Sequence, residues 1–222
     1  MIFKPENLSK LTNLIRLRVV FSYGVEQNDY HPRLEVIIAQ ILGHSSLRHC
    51  ILQTARPVDF TKVESPSPVE YLDIDYCSFQ SLYTLFEFTP ALQHLTAKIA
   101  VHDESKIHKI SLAPLLNSVQ LDFSIPAFDD LTLFLKRYPK LRKLNVITHS
   151  VIEPSTYTSS WFELITEHLP ALIKFKRQSN VLLENIEEYM QAFHWPNGWK
   201  LKEKYTPNGK NYAQITITNT RY

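Results

Sequence analysis

Pro139-Lys140-Leu141-Arg142-Lys143-Leu144 repeats a phrase met earlier as Pro90-Ala91-Leu92-Gln93-His94-Leu95 and later as Pro170-Ala171-Leu172-Ile173-Lys174-Phe175. A returning phrase marks an internal repeat. Each repeat carries an apolar face too small to bury alone, so the units stack on one another. The expected product is a solenoid that offers a surface to a partner, not a pocket that performs chemistry.

Working outward, the pattern Leu-x-x-Leu-x-Leu finds anchors at Leu14, Leu47, Val69, Leu92, Leu116, Leu141 and Leu172. The fourth positions are Leu17, Cys50, Leu72, Leu95, Val119, Leu144 and Phe175. The sixth are Val19, Leu52, Ile74, Ala97, Leu121, Val146 and Arg177, and Arg177 alone is charged. The anchor spacings are 33, 22, 23, 24, 25 and 31 residues. The middle four fall within the roughly 20–29 residues of a leucine-rich repeat. The unit from Val69 fits best, with Leu72, Ile74, Cys77 and Phe79 all at motif positions.

Alternate strand residues face opposite ways, so the fourth and sixth positions point inward together. Parallel strands need crossovers, and these read as helices. Leu34, Ile37, Ile38 and Ile41 keep helical spacing between Pro32 and Gly43. Phe79, Leu82, Leu85 and Phe86 form a second stripe, and Phe128, Leu131, Phe134, Leu135 and Tyr138 a third. Ser160-x-x-Glu163 reads as a capping box opening a helix that stops before Pro170. Leu183, Ile186, Tyr189, Met190 and Phe193 make a last stripe. The segments Thr54–Pro68 and His149–Ser159 read as loops within the array.

The fold class expected is α/β, a leucine-rich-repeat horseshoe with a parallel concave sheet and outer helices. It forms one domain over 1–222, with about seven repeats over 8–194 and a cap over 195–222. Two alternating stretches, Trp199–Tyr205 and Tyr212–Thr218, flank the turn signal Pro207-Asn208-Gly209 and predict a β-hairpin. Trp195, Trp199 and Tyr212 are expected to cover the last repeat. The first repeat starts near Leu8 and Leu11 with no comparable cap. Either the chain is a fragment, or another domain or protein is expected to cover that end.

Composition narrows the function classes. Four glycines argue against a phosphate-cradling loop, and two cysteines cannot build a disulfide framework. Cys50 and Cys77 occupy packing positions. A formal net charge of +2 names no partner class. No signal peptide or membrane span is visible, so a cytoplasmic or nuclear protein is expected. The nine histidines form no His-Glu-x-x-His or Cys-x-x-Cys set, His44, His49 and Cys50 being the nearest cluster. No catalytic residue, cofactor or metal is expected.

Across nearly its whole length the chain resembles the leucine-rich-repeat part of F-box and F-box-like proteins of the rotifer type. The residues that carry the likeness are Phe88-Thr-Pro90-Ala-Leu92-Gln-His-Leu95, Phe128-Asp-Asp-Leu131-Thr-Leu-Phe-Leu135, Tyr138-Pro139-Lys-Leu141-Arg-Lys-Leu144, Trp161-Phe-Glu-Leu-Ile165 and Leu169-Pro170-Ala-Leu172-Ile-Lys-Phe175, before a Trp-rich close ending in Tyr. The resemblance implies repeats that bind a substrate protein. It also implies a separate F-box docking on a ubiquitin-ligase adaptor. The sequence departs there: no F-box precedes the repeats, so coupling to the adaptor is expected only through an upstream segment.

The partner should meet the third, fifth and seventh residues of each repeat, counted from its anchor. From these the expected contacts are Arg16, Arg18, Tyr71, Asp73, Asp75, His94, Lys98, Asp122, Lys143, Asn145, Lys174 and Lys176. Their charges are sorted along the array, a pattern that steers a partner and sets register. A nucleic-acid-binding or stand-alone scaffold protein is the alternative, through Lys136, Arg137, Lys140, Arg142, Lys143, Lys174, Lys176 and Arg177. Small net charge and the lack of a recognition motif weigh against nucleic acid.

Overall fold

The structure is a computed structural model that describes residues 12–21, 31–99, 111–123, 128–151, 161, 163–182, 199–205 and 212–220. The architecture is α/β, with a mostly parallel, open sheet and few helices. The chain divides into two compact units, Met1–Leu116 and Asn117–Tyr222.

In the first unit, strands β1 (Arg16–Val20), β2 (His49–Gln53), β3 (Tyr71–Cys77) and β4 (His94–Ile99) lie parallel in chain order. Helix α1 (His31–Leu42) follows β1, and α2 (Phe79–Phe88) follows β3. In the second, β5 (Ser118–Phe123), β6 (Lys143–Val151) and β7 (Lys174–Leu182) are parallel. Helix α3 (Phe128–Leu135) joins β5 to β6, and a π-helical turn (Leu164–His168) precedes β7. The chain closes with β8 (Trp199–Tyr205) and β9 (Tyr212–Thr220), giving the order β5-β6-β7-β9-β8.

Every strand from β1 to β7 begins two residues after its anchor. A recurrent turn sets this start. The N–H of Leu47, Leu92, Leu116, Leu141 and Leu172 each donates to the carbonyl three residues back, at 3.0–3.1 Å or, for Leu141, 2.9 Å. Pro90, Pro114, Pro139 and Pro170 stand second in four of these turns, where a fixed φ suits the chain. The Pro-x-Leu phrase is therefore a turn; α2 runs up to it, ending at Phe88 before Pro90, whereas α3 ends at Leu135, short of Pro139.

A second device repeats from strand to strand. The carbonyl just after one anchor accepts two N–H groups of the following unit. The Ile15 carbonyl takes Arg48 at 2.9 Å and His49 at 3.0 Å, and the Arg48 carbonyl takes Glu70 and Tyr71 at the same distances. Glu70, Asn117 and Arg142 supply the same double acceptor. These bonds pair the backbone groups at the strand entrances and hold neighbouring strands in register.

The inward positions behave as the pattern requires. Cys50, Leu72, Leu95, Val119, Leu144 and Phe175 are buried, as are Leu52, Ile74, Ala97, Leu121 and Val146. Each large side chain contributes about 1.5–3 kcal/mol relative to exposure. Leu17, at the outermost strand, is only half-buried. Arg177, the apparent failure of the repeat, is 1% exposed and obeys the inward direction. Its guanidinium carbon lies 5.2 Å from the Trp161 ring centre, and Trp161 in turn sits 5.6 Å from the Phe175 ring. A cation over an indole face is an attractive arrangement, which explains how a charge enters an inward row.

The crossovers vary more than the strands. Ser78 caps α2, its Oγ accepting the Ser81 N–H at 3.0 Å. The β2–β3 connection is a loop, as expected, and it is plugged by buried Phe60 and Val63. It is pinned to β3 where the Val58 N–H donates to the Tyr76 carbonyl at 2.9 Å. The helix expected before Pro170 takes π geometry through its last turn, and its expected cap Ser160 lies outside the described residues. So do Leu8, Leu11, His102, His108, the stripe Leu183 to Phe193, Trp195 and the turn Pro207-Asn208-Gly209.

The hairpin forms, and β9 joins β7 edge to edge and antiparallel. Ile215 and Ile217 are buried opposite Ser179 and Arg177. The hairpin thus extends the sheet and its inward rows. The side chains of Trp199 and Tyr212 lie outside the described residues. Among the described residues, no helix is long and apolar enough to cross a membrane.

Candidate partner-binding face

Parallel register turns the outward residues into rows that cross the strands. In the first unit the leading row is Arg16, His49, Tyr71 and His94. Its rings stack: His49 and Tyr71 centroids are 4.1 Å apart, and Tyr71 and His94 are 5.9 Å apart. Arg18, Ile51, Asp73 and Thr96 form the second row. Beyond it, Val20 opposes Gln53, and Asp75 pairs with Lys98 at 3.2 Å.

Several polar side chains of this face engage one another. Arg18 donates from both Nε and a terminal nitrogen to Gln53 Oε1, at 3.0 and 2.7 Å. Lys98 also lies 5.5 Å from the Tyr76 ring centre. Arg48 and Glu70 approach within 3.6 Å at the strand entrance. Burial, helped by Asp75, raises the Asp73 carboxyl above its ordinary value, with Lys98, His49 and Arg18 partly offsetting it. Burial and the charge of Arg16 hold the His49 imidazole below its ordinary value, with Asp73 opposing.

The rows of the second unit have a different composition. The first is Ser118, Lys143, Lys174 and Thr220. The second runs Gln120, Asn145, Lys176, Thr218 and Lys200, and the third Asp122, Ile147, Gln178, Thr216 and Lys202. Asn145 Nδ2 donates to Gln120 Oε1 at 2.9 Å, and His149 Nε2 sits 2.8 Å from Asp122 Oδ1.

All twelve residues expected to meet a partner therefore lie on outward positions. Arg16, Tyr71 and His94 share one row and Arg18 and Asp73 the next, and beyond them Asp75 and Lys98 meet as an ion pair. Lys143 pairs with Lys174, and Asn145 with Lys176, while Asp122 leads the third row. Sequence reasoning missed Lys200 and Lys202, exposed residues that the hairpin register sets in these rows. Their alternation with Leu201 was the available signal, but assigning it to a cap hid its use.

Other chemistry is dispersed. His49 faces outward while Cys50 faces the core, so strand alternation separates the nearest His/Cys cluster. His44 Nδ1 lies 3.2 Å from Ser46 Oγ. Burial pushes the Cys50 thiol up to about 12 and the Cys77 thiol higher still, which makes both poor nucleophiles. Glu163, Glu167 and His168 bring one donor atom each within 4.8 Å of one another on the π turn. The two glutamates are exposed and solvated, and we assign no metal to the trio.

No protein-family model matches this sequence, and no curated protein sequence matches it. The functional reading rests on the residues themselves.

Proposed function

We propose that the chain is a leucine-rich-repeat interaction module that holds a protein partner on the open face of its sheet. In this it resembles the substrate-recognition repeats of F-box-type ubiquitin-ligase receptors. The observation that carries the reading is the division of labour between alternate strand residues. One set is almost wholly apolar, buried and repetitive; the other is mostly polar, outward and different in every row. Such a surface selects a partner by pattern and not by a reaction, and the chain acts as a binder and not as an enzyme. Coupling to a ligase adaptor belongs to an F-box upstream of the repeats. A cytoplasmic or nuclear setting suits that role.

Peptides selected against the full chain from a displayed random library test this reading. Amide-exchange mapping should put protection on the strand rows. Protection confined to α1, α2 and α3 would overturn the proposal. For the ligase role, the natural upstream sequence should recover the adaptor and this chain alone should not.

The lysines of the second unit favour nucleic acid as the second reading. A salt-dependent titration with an oligonucleotide decides it, and no binding at low ionic strength ends it.

A further inference from the structure

Resting on the open face as a partner surface, we propose that the second unit docks an extended acidic segment of a partner protein. Its contacts are Lys143, Lys174, Lys176, Lys200 and Lys202. Three strands contribute them: β6 gives the first, β7 the next two, and β8 the last pair. The register β7-β9-β8 sets Lys176, Thr218 and Lys200 in one row, and Gln178, Thr216 and Lys202 in the next. Lys143, Lys174, Lys200 and Lys202 are exposed, and Lys176 is half-buried. None of the five makes an ion pair among the described residues. Within these rows the one carboxylate is Asp122, and His149 already stands against it at 2.8 Å. The face thus collects cations that have no ion-pair partner among the described residues.

Geometry points to an extended peptide. Alternate residues of a strand lie about 6.6–6.8 Å apart, and neighbouring strands about 4.8 Å apart. Lys174 and Lys176 therefore match carboxylates at every second residue of an extended acidic segment. Lys143 and Lys200 lie to either side to meet a carboxylate that leans across. Single-stranded nucleic acid is held by positive charge together with aromatic platforms. The described side chains of these rows are Ser, Lys, Gln, Asn, Ile, Thr and Asp, and the His149 ring beside them is already engaged by Asp122. Charge without a stacking platform favours the acidic peptide.

The test uses the full chain and three labelled probes read by fluorescence anisotropy: an alternating Glu-Ser peptide, the matching Gln-Ser peptide and an oligothymidylate. The Glu-Ser peptide should bind at low ionic strength and weaken as salt rises. Paired substitution Lys200→Glu with Lys202→Glu should weaken it by about tenfold or more, the scale of lost charge-assisted contacts. Lys143→Glu with Lys174→Glu should do the same, with urea unfolding nearly unchanged because one like-charge pair replaces another. Lys62→Glu, exposed in the β2–β3 loop of the other unit and outside the strand rows, should leave it unchanged. Equal binding of the Gln-Ser peptide overturns the proposal, as does Glu-Ser binding that survives both lysine pairs. Tighter binding of oligothymidylate replaces the peptide with nucleic acid. If library peptides map to first-unit rows while Glu-Ser fails, this inference falls alone. If no peptide maps to any strand row, the broader reading falls with it.

Discussion

The open faces of the two units share a frame and differ in electrostatics. In the first, Asp75 holds Lys98, Arg18 forks onto Gln53, and a His-Tyr-His stack fills the leading row. In the second, lysines from three strands accumulate with one acidic residue among them. Yet the anchor turns, the strand starts and the double-acceptor carbonyls recur in both. The frame is built by inward side chains and backbone, so outward residues vary at little cost to folding. Surface substitutions of this kind usually change stability by under about 0.5 kcal/mol.

The sharpest way to break the comparison is in the cores. Phe86→Ala in the first unit and Phe134→Ala in the second should each cost about 3–5 kcal/mol in urea unfolding. A loss near zero in one unit would show that its frame is not equivalently packed. Arg177→Ala should cost about 2–4 kcal/mol, since a long stem packed against Trp161 is removed. Arg177→Met, which refills the volume, should recover most of that loss, and calorimetry can rank the pair. If both cost the same, the guanidinium matters more than its stem.

Smaller effects sharpen the contrast. Ser78→Ala removes the α2 cap and should cost about 1 kcal/mol, read from the urea midpoint. Directly opposed like charges destabilise a strand pair by roughly 0.2–1 kcal/mol. Lys174→Glu, facing Lys143, should therefore stabilise slightly at low salt, whereas Asp75→Lys, facing Lys98, should destabilise. Added salt should shrink both differences; urea midpoints insensitive to salt would remove electrostatics from the account. The smallest expected effect concerns pH. The folded Asp73 carboxyl titrates above its unfolded value, so folding takes up a proton between the two. Its contribution is most favourable below the unfolded pKa and falls as pH rises through the folded one. Asp73→Asn should stabilise the protein at neutral pH, and the gain should fade on acidification. A gain independent of pH would locate the effect elsewhere.

Much of this was legible in the residues. The anchors foretold seven strand starts, because turn chemistry and two-residue alternation act over a few bonds. α1, α2 and α3 followed from apolar spacing for the same reason. Outward placement of Arg16, Tyr71, Lys143 and the other expected contacts followed directly from alternation. Their pairings did not. That Lys98 meets Asp75, or that Arg18 turns to Gln53, depends on rotamers chosen among neighbours from separate repeats.

The sequence by itself determined the repeat, the direction of each strand side chain and the ends of α1 and α2, while α3 stops at Leu135, ahead of its proline. The tertiary structure alone decided that Arg177 is buried over Trp161, that Phe60 plugs a loop, and that β9 sets Lys200 and Lys202 into the rows of β7. Local signals act through adjacent peptide units, whereas these outcomes require residues tens of positions apart to find one register. That register is selected by burying Ile215 and Ile217 on the inward side, a gain that exists only once the strands have met.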